Sequence, residues 1–201
     1  MSTRDIPIWD IDASHSGVNF TVRHMVVSKV RGRFAKWAGT IAFDDAAPER
    51  SSVEVSIEAA SIDTGVAERD GHLKTPDFLD VEKFPAITFR STGVARREDG
   101  FDVTGDFTIR DVTREVVLPV VYGGRAKDPW GNQRTGFAAQ LTIDRKDFGL
   151  KWNQLLESGG LLVGDMVEIL LEVEAVLKTA EEKPAPVAAV AKQPVLVAAA
   201  A

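Results

Sequence analysis

From Trp9 to Leu177 apolar residues return at every second position, in one segment after another. That period belongs to β-strands with one buried face and does not suit an amphipathic helix. Val18, Phe20, Val22 and Val26 share a parity, and so do Trp37, Gly39, Ile41 and Phe43. Val53, Val55 and Ile57 follow, then Ile87 and Phe89, then Phe101, Val103, Gly105, Phe107 and Ile109. Val116, Leu118, Val120 and Tyr122 come next, although Val117 and Val121 blur the pattern. Thr135, Phe137, Ala139, Leu141 and Ile143 precede a last run of Val167, Ile169, Leu171, Val173 and Ala175. Turn residues separate these runs at Asp44-Asp45 through Pro48, Asp99-Gly100, Gly123-Gly124 and Asp128-Pro129 with Gly131. About eight strands at this spacing predict an all-β sandwich or barrel. Nothing in the cysteine and tryptophan spacing supports an immunoglobulin-like sandwich.

Val66 to Lys83 breaks the alternation. It is charged and carries Pro76, so it reads as two short helical turns flanking the proline. Thr75 or Asp77 would cap the second turn, and Leu73, Phe78, Leu79 and Phe84 would point inward. An insertion of this size closes one end of a barrel.

The chain has 201 residues and no cysteine, which excludes disulfides, thiol catalysis and thiolate metal sites. Its formal charge of −6 disfavours nucleic acid as a partner. No run of apolar residues is long enough to span or insert stably in a membrane. Asp5, Pro7, Asp10 and Asp12 interrupt the start of the chain where a secretory signal would lie, so the cytoplasm is the default expectation. Composition changes after Leu177: residues 1–177 read as the barrel and 178–201 as a disordered Ala/Val/Pro-rich tail.

An eight-stranded barrel stands at a threshold where it either fills its interior or encloses one ligand. Strand parity sends Phe20, Val22, Phe34, Ile41, Phe43, Val55, Ile57, Phe78, Phe89, Phe107, Phe137, Leu141, Ile169 and Leu171 inward, as the candidate tunnel lining. Gly39, Gly105 and Ala139 lie on the same parity and would leave room, so both a hollow and a packed interior remain open. A hollow one calls for a long apolar ligand. Each buried CH₂ contributes roughly 0.8 kcal/mol, so a long chain soon reaches the practical limit of affinity. Selectivity must then come from tunnel length and from contacts to the headgroup.

Catalytic and metal signals are weak. His15 and His24 lie on opposite parities of one strand, and His72 with Asp70 needs the fold to bring a further ligand. Ser16 beside His15 points away from it, and no nucleophile elbow, zinc-protease or phosphate-loop motif occurs. No catalytic residue, metal or cofactor is assigned. Among Asp63, Arg69, Asp70, Arg110, Asp111, Arg145 and Asp147, the candidates to hold a headgroup are Arg69, Asp70 and Arg145. The alternative role for this set is salt bridging and turn capping.

Several stretches occur together and in order: DASHSGVNFTVRHMVVSKVRGRF (Asp12–Phe34), SIDTG (Ser61–Gly65) and RDGHLKTPDFLDVEKFPAITF (Arg69–Phe89). GDFTIRDVTREV (Gly105–Val116), IDRKDFGL (Ile143–Leu150) and VGDMVEI (Val163–Ile169) complete them. On these the chain resembles the YceI-like family of bacterial lipid-binding proteins, from about Trp9 to Ala175. The resemblance implies an all-β, eight-stranded antiparallel lipocalin-like barrel with a short helical insertion. It also implies a tunnel for a polyisoprenoid or an isoprenoid quinone. Many relatives are exported and some are linked to stress, whereas this chain shows no leader and carries an unusual tail.

The leading expectation is therefore a carrier or sequestering protein for an isoprenoid lipid, and not an enzyme. One alternative is an enzyme acting on a hydrophobic substrate through His15 or His24. Another is a packed barrel that works as an interaction protein through its tail. An exposed tunnel mouth or strand edge would favour a homodimer.

Overall fold

The computed structural model describes residues 6–25, 27–157 and 159–178. Val26 and nearly all of the tail at 178–201 lie outside the described residues. Eleven strands form one sheet: β1 (Ile8–Ile11), β2 (Gly17–His24), β3 (Ser28–Phe34), β4 (Trp37–Ala42), β5 (Ser52–Glu58) and β6 (Ile62–Asp63) come first. After the helix α1 (Ala67–Lys74) follow β7 (Ala86–Arg96), β8 (Gly100–Ile109), β9 (Val112–Lys127), β10 (Gln133–Asp144) and β11 (Val163–Leu177). Every pairing is antiparallel, and β1 bonds to both β4 and β11, which closes the ring.

The eleven strands occupy the eight expected positions of a barrel. β1 and β2 run in line along β11, β3 and β4 run in line beside them, and β5 continues into β6. The break between β1 and β2 is bridged by Ser16. Its Oγ donates to the Glu174 carbonyl at 3.2 Å and accepts the Glu174 N–H at 2.8 Å, so that stretch of β11 keeps its hydrogen bonds. Ser16 thus serves the sheet and makes no pair with His15.

Register brings the apolar parities together. Val18, Phe20 and Val22 of β2 face Leu171, Ile169 and Val167 of β11, and Leu141 of β10 faces Ile169 from the other side. Phe89 lies between Val55 and Phe107. A slip of one residue would turn each of these sets out to solvent, so the burial of one face fixes the pairing. The glycines on this parity do not leave room as expected. A Cβ on Gly105 would lie 2.5 Å from the Phe89 ring, and one on Gly39 would lie 2.8 Å from the Glu54 carbonyl and 2.9 Å from Ile11. Neighbouring side chains and backbone already fill those places, and Gly105 allows Phe89 to lie flat across the strand.

The insertion forms one helix rather than two turns. α1 has Glu68 and Asp70 in its first turn and His72 and Lys74 in its last, the charge order that suits the helix dipole. It ends at Thr75, which precedes Pro76 and is extended (φ −74°, ψ 171°), as the proline ring requires. The expected caps act elsewhere: Thr75 Oγ1 donates back to the His72 carbonyl, and the Asp77 carboxylate meets the His72 ring. The chain then turns back, with Leu79 N–H bonded to the Leu73 carbonyl and Asp80 at φ 49°. Phe78 and Leu79 are buried as expected. Phe84 is not part of the inner wall; it lies under the Arg110 guanidinium, 5.4 Å away.

Candidate functional site: an apolar cavity inside the barrel

The barrel is hollow. A cavity of about 410 Å³ runs inside it, a volume within the range of small-molecule sites. All fourteen side chains placed inward by parity, from Phe20 to Leu171, lie on its wall. So do Ala139 and, from the insertion, Leu73 and Leu79. Trp152, Leu150 and Val163 also line it, and alternation gave no signal for them. Trp152 and Leu150 sit after the short 3₁₀ turn Arg145–Phe148 rather than on a regular strand, and a β-bulge interrupts the β2–β11 pairing between Val163 and Val167.

The two ends differ. At the end formed by the start of β8 and the end of β4, the rings of Phe43, Phe101, Tyr122 and Phe137 pack together. Centroids lie 5.3–5.9 Å apart in mostly edge-to-face arrangements. The Arg125 guanidinium covers this group from outside, 5.4 Å from Phe43 and 5.2 Å from Trp9. Phe43 and Phe101 are each 3% exposed, so the rings close this end.

The other end is formed by α1, the tip of β2 and the segment after Phe148. Here the lining residues include His24, Thr64, Arg69, His72 and Arg145, with Arg23 beside them, although nearly all the surface they present to the cavity is apolar. Most are tied to the protein. Arg69 donates from Nε to Thr64 Oγ1 at 2.7 Å and from Nη2 to the Thr64 carbonyl at 2.8 Å. Asp70 accepts the Thr64 N–H at 2.9 Å and also its hydroxyl; it does not reach the cavity wall. His72 meets Asp77 at 2.9 Å and packs edge-on against Phe78 and Trp152.

Arg145 is 3% exposed. It donates to the carbonyls of Gly164, Leu150 and Trp152 and to the Asp165 carboxylate. Burial pushes its pKa below the usual guanidinium value, and Asp165 and Asp144 oppose that shift. Of the three expected headgroup residues, the structure therefore gives Arg69 and Arg145 structural bonds at the wall and places Asp70 behind it.

The histidines do not converge. His15 lies outside the barrel beside Asp12, 2.9 Å away, while His24 and His72 are on the inner wall. Oxygens of Asp12 and Glu174 come near the His15 ring, within 4.8 Å of one another, but Arg134 donates to Asp12, Asp128 and Glu174 and already supplies the positive charge there. This is an ion-pair cluster on the outer surface. It holds the Asp12 and Asp128 carboxyls well below the usual range. For Asp12 the largest cause is the Ser14 hydroxyl and the next is Arg134, whereas for Asp128 the Arg134 guanidinium leads.

Fold and site together define a closed antiparallel barrel around an apolar cavity. The family model of the YceI-like domain matches residues 9–175. A UPF0312 protein of Pseudomonas syringae pv. syringae is 43% identical over 143 residues, covering 71% of this chain and 74% of its own. Among solved structures, BcnA of Burkholderia cenocepacia superposes with a TM-score of 0.73 at 25% identity, covering 82% of this chain and 99% of that one. A polyisoprenoid-binding domain from Saccharophagus degradans gives a TM-score of 0.65 at 16% identity, over 85% of this chain and 98% of its own, a likeness of fold. The chain belongs to the YceI-like family.

Proposed function

We propose that this protein binds and carries a long apolar ligand, a polyisoprenoid or an isoprenoid quinone, inside the barrel. The observation that carries the reading is the cavity itself: about 410 Å³ of interior space with an almost wholly apolar wall, closed at the Phe43 end. Empty apolar space of this size costs the fold its lost packing, and an apolar chain recovers that contact. The shared fold of the Saccharophagus degradans polyisoprenoid-binding domain supports the class of ligand. Binding rather than turnover is favoured because Arg69, His72 and Arg145, at this end of the wall, have bonds to the protein itself, and His24 beside them has no paired acid, base or nucleophile among the described residues.

The test is extraction of the purified protein with organic solvent, followed by mass spectrometry of the extract. A prenyl lipid recovered in constant ratio to protein is the expected result. Repeated recovery of none, with no uptake of prenol or quinone by the stripped protein, overturns the proposal.

A further inference from the structure

We infer that His24 is the contact for the polar end of the ligand, and that this end is a neutral oxygen group, a hydroxyl or a carbonyl, rather than a diphosphate. The inference rests on the proposed carrier function and adds to it the identity of the headgroup and of its partner. His24 is the last residue of β2 and continues the inward parity of Val18, Phe20 and Val22. It stands opposite Val163 of β11 and Ser28 of β3, is half-buried, and lies on the cavity wall. Its backbone carbonyl accepts from Ser28 Oγ. Its ring makes no hydrogen bond, ion pair or ring contact with any described residue. The other polar groups of inward position near this end, Thr64, Arg69, His72 and Arg145, all have protein partners.

A partly desolvated imidazole without a partner is costly, and so is the oxygen of a ligand drawn into an apolar tunnel. Each meets the other's need. The Phe43 end offers the rings of Phe43, Phe101 and Phe137 and, at its edge, Ser51, whose hydroxyl already accepts the Asp44 N–H, and the exposed Ser52, so the tail goes in first and the oxygen stays at the His24 end. A neutral imidazole has one donor and one acceptor, which serves a hydroxyl fully and a carbonyl through the donor. A diphosphate needs several unengaged cations. Arg145 is spent on three protein carbonyls and Asp165, Arg69 gives its Nε and Nη2 donors to Thr64, and the carboxylate of Asp70 lies just behind Thr64. Arg23, beside His24, is exposed and also reaches the cavity wall without an ion pair among the described residues, but it is one cation where a diphosphate needs several.

The experiment uses the full chain stripped of lipid. Equilibrium binding is measured for a long-chain polyprenol, an isoprenoid quinone, the matching polyprenyl diphosphate and squalene, a hydrocarbon without a headgroup. His24→Leu is expected to weaken prenol and quinone roughly tenfold, the value of one hydrogen bond whose partner is left desolvated, and to leave squalene unchanged. His24→Gln, which keeps a donor and an acceptor, retains most of the affinity. In the wild type, the ring ¹⁵N resonances of His24 shift on adding prenol and not on adding squalene, a readout that does not depend on how the variants fold. Equal loss for squalene and prenol, no shift of the His24 resonances, or a wild-type preference for the diphosphate overturns the inference while the carrier function stands. Failure of the wild type to bind any of the four overturns both.

Discussion

Arg134 Nη1 stands 2.9 Å from Asp12 Oδ2, joining the start of β10 to the chain just beyond β1. The same guanidinium bonds Asp128 through Nε at 2.9 Å and also reaches Glu174. One cation thus ties the β9–β10 turn, β11 and the β1–β2 break. Replacing Arg134 by Met leaves three carboxylates facing one another and is expected to lower the melting temperature by several degrees near neutral pH, as read by circular dichroism.

The pH dependence follows from the same cluster. The folded-state pKa values of Asp12 and Asp128 lie below their unfolded values. Their contribution is present above the unfolded carboxylate pKa of about 4 and is lost as pH falls below it through the folded values. Melting temperature measured from pH 7 to pH 2 should fall steeply below about pH 4 in the wild type. Arg134→Met should show a smaller loss over that window.

Phe148 is 2% exposed and packs edge-to-face on Phe107, 5.5 Å between centroids. It is part of the packed core rather than of the cavity wall. Phe148→Ala should cost about 3–5 kcal/mol in urea unfolding, the usual cost of deleting a buried phenyl ring.

Arg145 holds the segment after β10 against the start of β11 through the carbonyls of Leu150, Trp152 and Gly164. Arg145→Met strands those acceptors and leaves Asp165 with Lys146 alone. The expected loss is about 3–5 kcal/mol. Arg145→Lys should recover little, because an ammonium lacks the planar fork that reaches separate carbonyls.

Ala139 faces the cavity between Val120 and Leu171. Ala139→Trp should fill part of the tunnel and reduce recovered ligand severalfold. Stability should change by no more than about 1–3 kcal/mol, since the added ring enters space that is already empty. Solvent extraction and thermal melting on the same sample test both halves.

Most of the inner wall was legible in the sequence because a strand has a period of two and a barrel has one inside. Phe20, Ile41, Phe89, Leu141 and Leu171 need nothing more than parity to be placed. Two kinds of feature were not legible. Where the backbone is irregular, as at Trp152 and Leu150, there is no period to count. Where a side chain's role depends on its partner, type and position say little: the bonds of Arg69 to Thr64 and of Arg145 to three carbonyls have no signature in the sequence. The breaks at Ser16 and between β3 and β4 were hidden for a related reason. The inward parity changes across each break, from Ile11 to Val18 and from Phe34 to Trp37, so two pieces that run in line read as unrelated strands.

Under the proposed carrier function, the rings around Phe43 act as the stop of a gauge. A tail pushed against those rings has its length measured from a fixed stop, and only a chain of matching length brings its last atom level with the rim. A shorter chain leaves a void at the stop or sinks its oxygen among hydrocarbon walls. A longer one projects its surplus into water. Discrimination between homologous chains then needs no contact with any one isoprene unit. Moving the stop, by trimming Phe137 or Phe43, would reset the preferred length in steps of whole units.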